Sequence, residues 1–186
     1  MSDISSEQTK KPASSSREER FVQSVLHGMT QSNGFTARLR RADNPGTEYQ
    51  SWDFLAKQDV NLEYEDQRLP FVTIAAALAK AKATENGRTT LGRAIAACYE
   101  KGNDSEQASS RLRRLLACEE LPELCRILRP LLALIASKST SSSLDFVRLL
   151  RQLRRFPFDA QSVRAQWAQE FYGKAADQTQ QQEHTA

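Results

Sequence analysis

LPELCRILRPLLALIA, residues 121 to 136, reads as a helix along its whole length. Leu124, Ile127, Leu128, Leu131, Leu132 and Ile135 recur three and four apart, which is the spacing of one helix face. The alternation by two that marks a half-buried strand is missing. Pro122 suits the first turn of this helix, where its absent N–H removes no bond. Pro130 lies within the pattern and predicts a kink.

The same period continues in both directions. Downstream, a Ser- and Thr-rich loop spans 137–143, and Ser143 is the expected cap of a helix carrying Leu144, Val147, Leu150 and Leu153. Phe156-Pro157 ends that helix. Asp159 caps a last one with Val163, Trp167 and Phe171, stopped by Gly173. Upstream, Leu112, Leu115 and Leu116 line one helix, and Leu91, Ile95 and Cys98 mark another that closes at Gly102. Pro70 is expected in the first turn of a helix bearing Phe71, Ile74, Ala75 and Leu78, after an acidic loop 58–68 and before Asn86-Gly87. Thr47 is expected to start a helix with Tyr49, Trp52, Phe54 and Leu55. GFTARLRRADNPG, residues 34–46, reads as a short helix with Phe35, Leu39 and Ala42 inward. Ser16 and Glu19 form a capping box for a helix over 17–31 with Phe21, Val22, Val25, Leu26 and Met29 on one face.

The fold class is therefore all-α, as two small helical bundles of about nine helices. The polar lead 1–15 and the Gln-rich tail 174–186 are expected to be disordered. Asn103-Asp104-Ser105 divides an N-terminal subdomain, 16–102, from a C-terminal one, 103–173. The 186 residues suffice for such a core without staples.

Enzyme chemistry is hard to find. Leu91-Gly92-Arg93 has one glycine and is no phosphate loop. With His27 and His184 as the whole histidine supply, no zinc spacing exists, and no cofactor is implied. Glu119, Glu120 and Glu123 cluster at a helix start, where acids favour the dipole. Cys98, Cys118 and Cys125 have no histidine beside them and read as small core hydrophobes. No signal peptide is read ahead of them, so a reducing cytoplasm is expected. No apolar run approaches the ~18 residues of a membrane span.

Charge is more informative. The net charge is only +3, but residues 71–174 hold 17 basic against 10 acidic residues. Eighteen of the 26 basic residues are arginine, the better phosphate ligand through its planar fork. They cluster as Arg38, Arg40 and Arg41; as Arg111, Arg113 and Arg114 with Arg126 and Arg129; and as Arg148, Arg151, Arg154 and Arg155. Each cluster is either a solvated face or a grip on phosphate. With few acids among them, phosphate backbone is the favoured ligand. Aromatics sit mostly at core spacing, so base stacking is not favoured.

The motifs ARLRRADNPG, RTTLGRAIA, RLRRLLA, LRPLL, LDFVRLLRQLRRF and VRAQWAQEFY follow in one order over roughly residues 18–173. That series resembles the CasB-type small subunit of the type I-E CRISPR Cascade complex. The resemblance implies a non-catalytic, all-helical subunit present in two copies, head to tail, beside the backbone and large subunits. It further implies that crRNA and target and non-target DNA are its ligands, and that it stabilises the R-loop. It places nucleic-acid contacts on Arg40, Arg41, Arg93, Arg111, Arg114 and Arg129. Pro130 departs from a position that is often basic. Arg154, Arg155 and Arg164 are the candidates to replace basic residues absent beside Phe156-Pro157-Phe158. The alternative reading is a helical scaffold whose arginine clusters meet acidic protein partners. A helix-turn-helix regulator would need an exposed base-reading helix, and none stands out.

Overall fold

The computed structural model describes residues 15–138 and 144–173. The expected disordered lead and tail lie outside those residues, apart from Ser15, and so does Ser143. Nine α-helices are present among the described residues: α1 (Arg17–Gln31), α2 (Asn33–Arg41), α3 (Trp52–Lys57), α4 (Glu65–Ala81), α5 (Leu91–Ala97), α6 (Glu106–Leu116), α7 (Leu121–Ser137), α8 (Phe146–Arg155) and α9 (Ala160–Tyr172). The all-helical expectation holds, and an isolated bridge between Thr89 and Leu144 is the nearest thing to a sheet.

Local chemistry sets the ends. The Ser16–Glu19 capping box opens α1, and the side chains of Ser32, Ser105 and Asp159 cap α2, α6 and α9. Asp145, beyond the expected Ser143, caps α8 by accepting from Arg148 N. Pro122 stands in the first turn of α7, and the helix continues through Pro130. Asn86 is expected to end a helix, but α4 stops at Ala81, where Lys82 takes the left-handed conformation, and Asn86 has another task. Its Nδ2 donates to Asp145 Oδ1 at 3.0 Å and its Oδ1 accepts from Val147 N at 3.1 Å, so it fixes the start of α8.

Two expectations are corrected. The segment from Thr47 is a 3-10 turn, Pro45–Ser51, capped by Asn44, and α3 begins only at Trp52. Tyr49 and Trp52 are exposed there, so they are not core residues. The second correction concerns α4, which starts at Glu65 inside the expected acidic loop, so Pro70 is interior. The Tyr64 carbonyl accepts from Gln67 N and Arg68 N, which starts the helix early. Pro70 withholds a donor from the carbonyl of Asp66, an exposed residue where water can serve instead.

Helix α4 is the centre of the molecule. Leu69 through Ala79 are all buried, on every side of the helix. Helices α1, α2, α7 and α8 pack around it. Helix α9 packs on α5, and α6 joins α5, α7 and α9. One buried cluster therefore runs from Phe21 to Phe171, through both expected subdomains. At the α5–α9 crossing Gly92 allows backbone contact, because a Cβ there would lie 2.6 Å from Phe171 N. Above this crossing, Glu170 accepts from Gly92 N at 3.3 Å and from Gln152 Nε2 at 3.1 Å. Gln152 in turn accepts from the buried Trp167 Nε1 at 2.8 Å.

Candidate nucleic-acid interface

The structure sorts the arginines by what their guanidinium groups touch. Several are bound to acids, most of them far away in sequence. Arg154 pairs with Glu18, joining α8 to α1. Arg148 meets Glu170 at 2.8 Å, and Arg155 meets Asp159 at 2.5 Å. Arg38 pairs with Asp53 at 2.9 Å. Arg68 pairs with the buried Glu48 at 2.5 Å and lies over the Trp52 ring. Arg164 donates to the Cys118 carbonyl and covers the Phe156 ring.

Arg129 turns inward. Its side chain is only 12% exposed, and its Nε stands 3.6 Å from Asp43, which also pairs with Lys80. That separation is too long for a hydrogen bond, and Nε and Nη2 have no hydrogen-bond acceptor among the described residues. Arg40 reaches the same junction of α2, α4 and α7, where its Nε donates to the Ala79 carbonyl at 2.8 Å. Its Nη groups remain available. Arg41 is exposed, with a 3.4 Å contact from Nη1 to Gln50 Oε1.

A second set is open. Arg88, Arg93, Arg113, Arg114 and Arg151 are exposed and have no ion-pair or hydrogen-bond partner among the described residues. Arg111 has one neutral contact, from its Nε to Tyr99 Oη at 2.6 Å. Arg111, Arg113 and Arg114 line a single open basin of about 1250 Å³ with Lys101 and Tyr99, between the end of α5 and the outer face of α6. Glu100, Asp104 and Glu106 line it too, yet none pairs with these cations. Sequence reasoning brought Arg111 and Arg114 to the site and missed Tyr99 and Lys101. Their signal was a Cys-Tyr-Glu-Lys run at a helix end, which carries no arginine period.

Amphipathic order builds this face. Ala108, Leu112 and Leu115 turn inward along α6, three and four apart. By the same period Arg111 falls at the border of the buried face and Arg114, three residues on, further out toward solvent. Ser105 caps the helix by accepting from Ala108 N at 3.3 Å. At the other end, burial pushes the Cys118 thiol up, against the pull of Arg164, Arg126 and Arg114.

Among the described residues no group of His, Cys, Asp and Glu could hold a metal ion. No helix among them is long and apolar enough to cross a membrane. Fold and surface together define an all-helical protein that carries, among the described residues, an open basin lined by four cations and three carboxylates. The chain belongs to the family of CRISPR-associated protein Cse2, whose model matches residues 36–172. The solved structure of M. ruber CasB is similar over 84% of this chain and 93% of that chain, with a TM-score of 0.66 and 27% identity. The resemblance to a CasB-type small subunit thus holds. Comparison with curated proteins gives no match.

Proposed function

We propose that this chain is a non-catalytic small subunit of a crRNA-guided Cascade complex that binds nucleic-acid backbone without reading sequence and so stabilises the R-loop. One observation carries the reading. Lys101, Arg111, Arg113 and Arg114 share a basin in which none of the lining carboxylates, Glu100, Asp104 and Glu106, forms an ion pair with them, while Arg148 and Arg154 are bound to distant acids. Free cations around one basin suit the phosphates of a nucleic-acid backbone.

Arg93 and Arg41 extend the proposed contacts, and Arg40 contributes through its free Nη groups. Arg154, Arg155 and Arg129 hold helices together first, and any phosphate contact they make competes with Glu18, Asp159 and Asp43. The proposed ligands are crRNA and the target and non-target DNA strands. R-loop formation is a nearly balanced exchange, so modest backbone contacts tip it. The proposed protein neighbours are a second copy of this chain and the backbone and large subunits. Exposed Tyr49, Trp52, Tyr64 and Phe158 suit such protein contacts, since aromatics anchor interfaces.

The test is salt. If about five phosphates of single strand are neutralised, log affinity falls against log salt with a slope of about −3.5. Changing Arg111 and Arg114 to Gln removes about 1.4 from that slope. An affinity indifferent to salt would refute the reading. The scaffold alternative makes a different prediction for charge reversal at the same pair: assembly is lost while free DNA binding persists.

A further inference from the structure

One contact in the basin does more than line it. Arg111 Nε donates to Tyr99 Oη at 2.6 Å. Nε has a single hydrogen, so the phenol oxygen is the acceptor. The Tyr99 hydroxyl hydrogen then points elsewhere, and no described group receives it. Tyr99 is half-buried and packs against the core, so its ring is fixed. Arg111 is exposed on the surface of α6, with a long stem that has much rotamer freedom to lose on binding. Lys101 and Arg114 stand in the same basin, with no acid bound to either.

We infer that Tyr99 is the positioning residue of the phosphate site: it holds Arg111 by Nε, so that the two Nη groups and the Tyr99 hydroxyl together grip a phosphodiester of a bound strand. An arginine held at Nε keeps four donors on its outer edge. A phosphodiester offers two non-bridging oxygens, and the fork and the phenol can each take one. Fixing the fork beforehand removes an ordering penalty from binding. A surface Tyr–Arg hydrogen bond without this role would leave nucleic-acid affinity unchanged when broken. The inference rests on the nucleic-acid reading above and goes beyond it by assigning a neutral residue a share in affinity.

The experiment uses the full chain and a fluorescent single-stranded DNA, with anisotropy read across salt concentrations. Tyr99→Phe keeps the ring and removes the oxygen. Its melting temperature should match the parent, while affinity falls by about fivefold, the value of one ordinary hydrogen bond. Arg111→Lys keeps the charge but cannot present a fork held at Nε, so it should weaken binding by as much as Tyr99→Phe or more. The double variant Tyr99→Phe with Arg111→Gln should lose less than the sum of the two single losses, because part of the Tyr99 effect acts through Arg111. Additive losses, or a Tyr99→Phe protein that binds as the parent does while Arg111→Gln does not, would overturn the inference and leave the interface standing. If none of these changes matters and affinity ignores salt, the nucleic-acid reading itself fails. Inorganic phosphate is the competing source of the same chemistry. If inorganic phosphate binds the parent more tightly than Tyr99→Phe while the strand binds both alike, the site is one for the free ion and the assignment to a strand is overturned.

Discussion

Replacing Gly92 with Ala tests how closely α5 and α9 approach. A Cβ at this position would lie 2.6 Å from Phe171 N, 2.7 Å from Trp167 O and 2.7 Å from Glu170 Cβ. Unstrained contacts between such atoms are about 3.5–4.0 Å. Two of the three neighbours are backbone atoms of α9, which cannot swing aside as a side chain would. The helices must therefore part by about 1 Å. Overpacking of this kind costs about 1–3 kcal/mol, and a backbone clash belongs at the upper end. Alanine regains about 1 kcal/mol of helix propensity over glycine. The net loss is then about 2 kcal/mol, or a fall of about 4–8 °C in melting temperature for a chain of this size. Parting the helices also lengthens the 3.3 Å bond from Gly92 N to Glu170. A thermal melt followed by circular dichroism is the assay. An unchanged or raised melting temperature would show that α5 and α9 leave room for a methyl group, and that helix propensity alone sets the outcome.

Two further outcomes concern pH. Burial pushes the Glu18 carboxyl up, but its backbone hydrogen bond and the Arg154 charge outweigh burial and hold it below its ordinary 4.5. A depressed carboxyl stabilises the fold above its ordinary value, and that contribution is lost as pH falls through the lower folded value. Glu18→Gln should flatten the acid limb below about pH 4.5 and cost about 1 kcal/mol at neutral pH, read by urea unfolding. At the alkaline end, burial pushes the Cys125 thiol from 9.0 up to about 11. A raised thiol contributes stability that is full below pH 9 and is lost as pH rises toward 11. Cys125→Ala should remove that slope from a pH series of melts. The native parent should also resist thiol reagents at Cys125 until it unfolds.

The helices were legible because their apolar residues recur at three and four and their caps are local. Ser16, Ser105 and Asp159 each bond within three residues, a distance that sequence reading covers. Helix α4 was harder to place. Pro70 pointed to a first turn, whereas Tyr64 starts the helix through its carbonyl and no side-chain cap advertises it. Tyr49 and Trp52 looked like core residues because aromatic type says nothing about which way a 3-10 turn faces. The site divided along similar lines. Sequence spacing put Arg111 and Arg114 on one face, and the Arg155–Asp159 pair is an i, i+4 contact visible in the chain. Asp43 beside Arg129 and Glu18 beside Arg154 are brought in by tertiary packing, Glu18 from 136 residues away. Counting arginines therefore overstates the free positive charge.

The burial of α4 on all its sides has a consequence for how the chain is made. A ribosome releases α4 well before α7 and α8, two of the helices that cover it. Until residue 155 has emerged, the apolar surface from Phe71 to Ala79 has no complete cover. During that interval the growing chain is adhesive, and surface of this kind is what chaperones hold. A stop codon near residue 103 would leave the exposure permanent. The shortened product would collect in inclusion bodies, and a dissection of the protein into two soluble halves would fail at its first half.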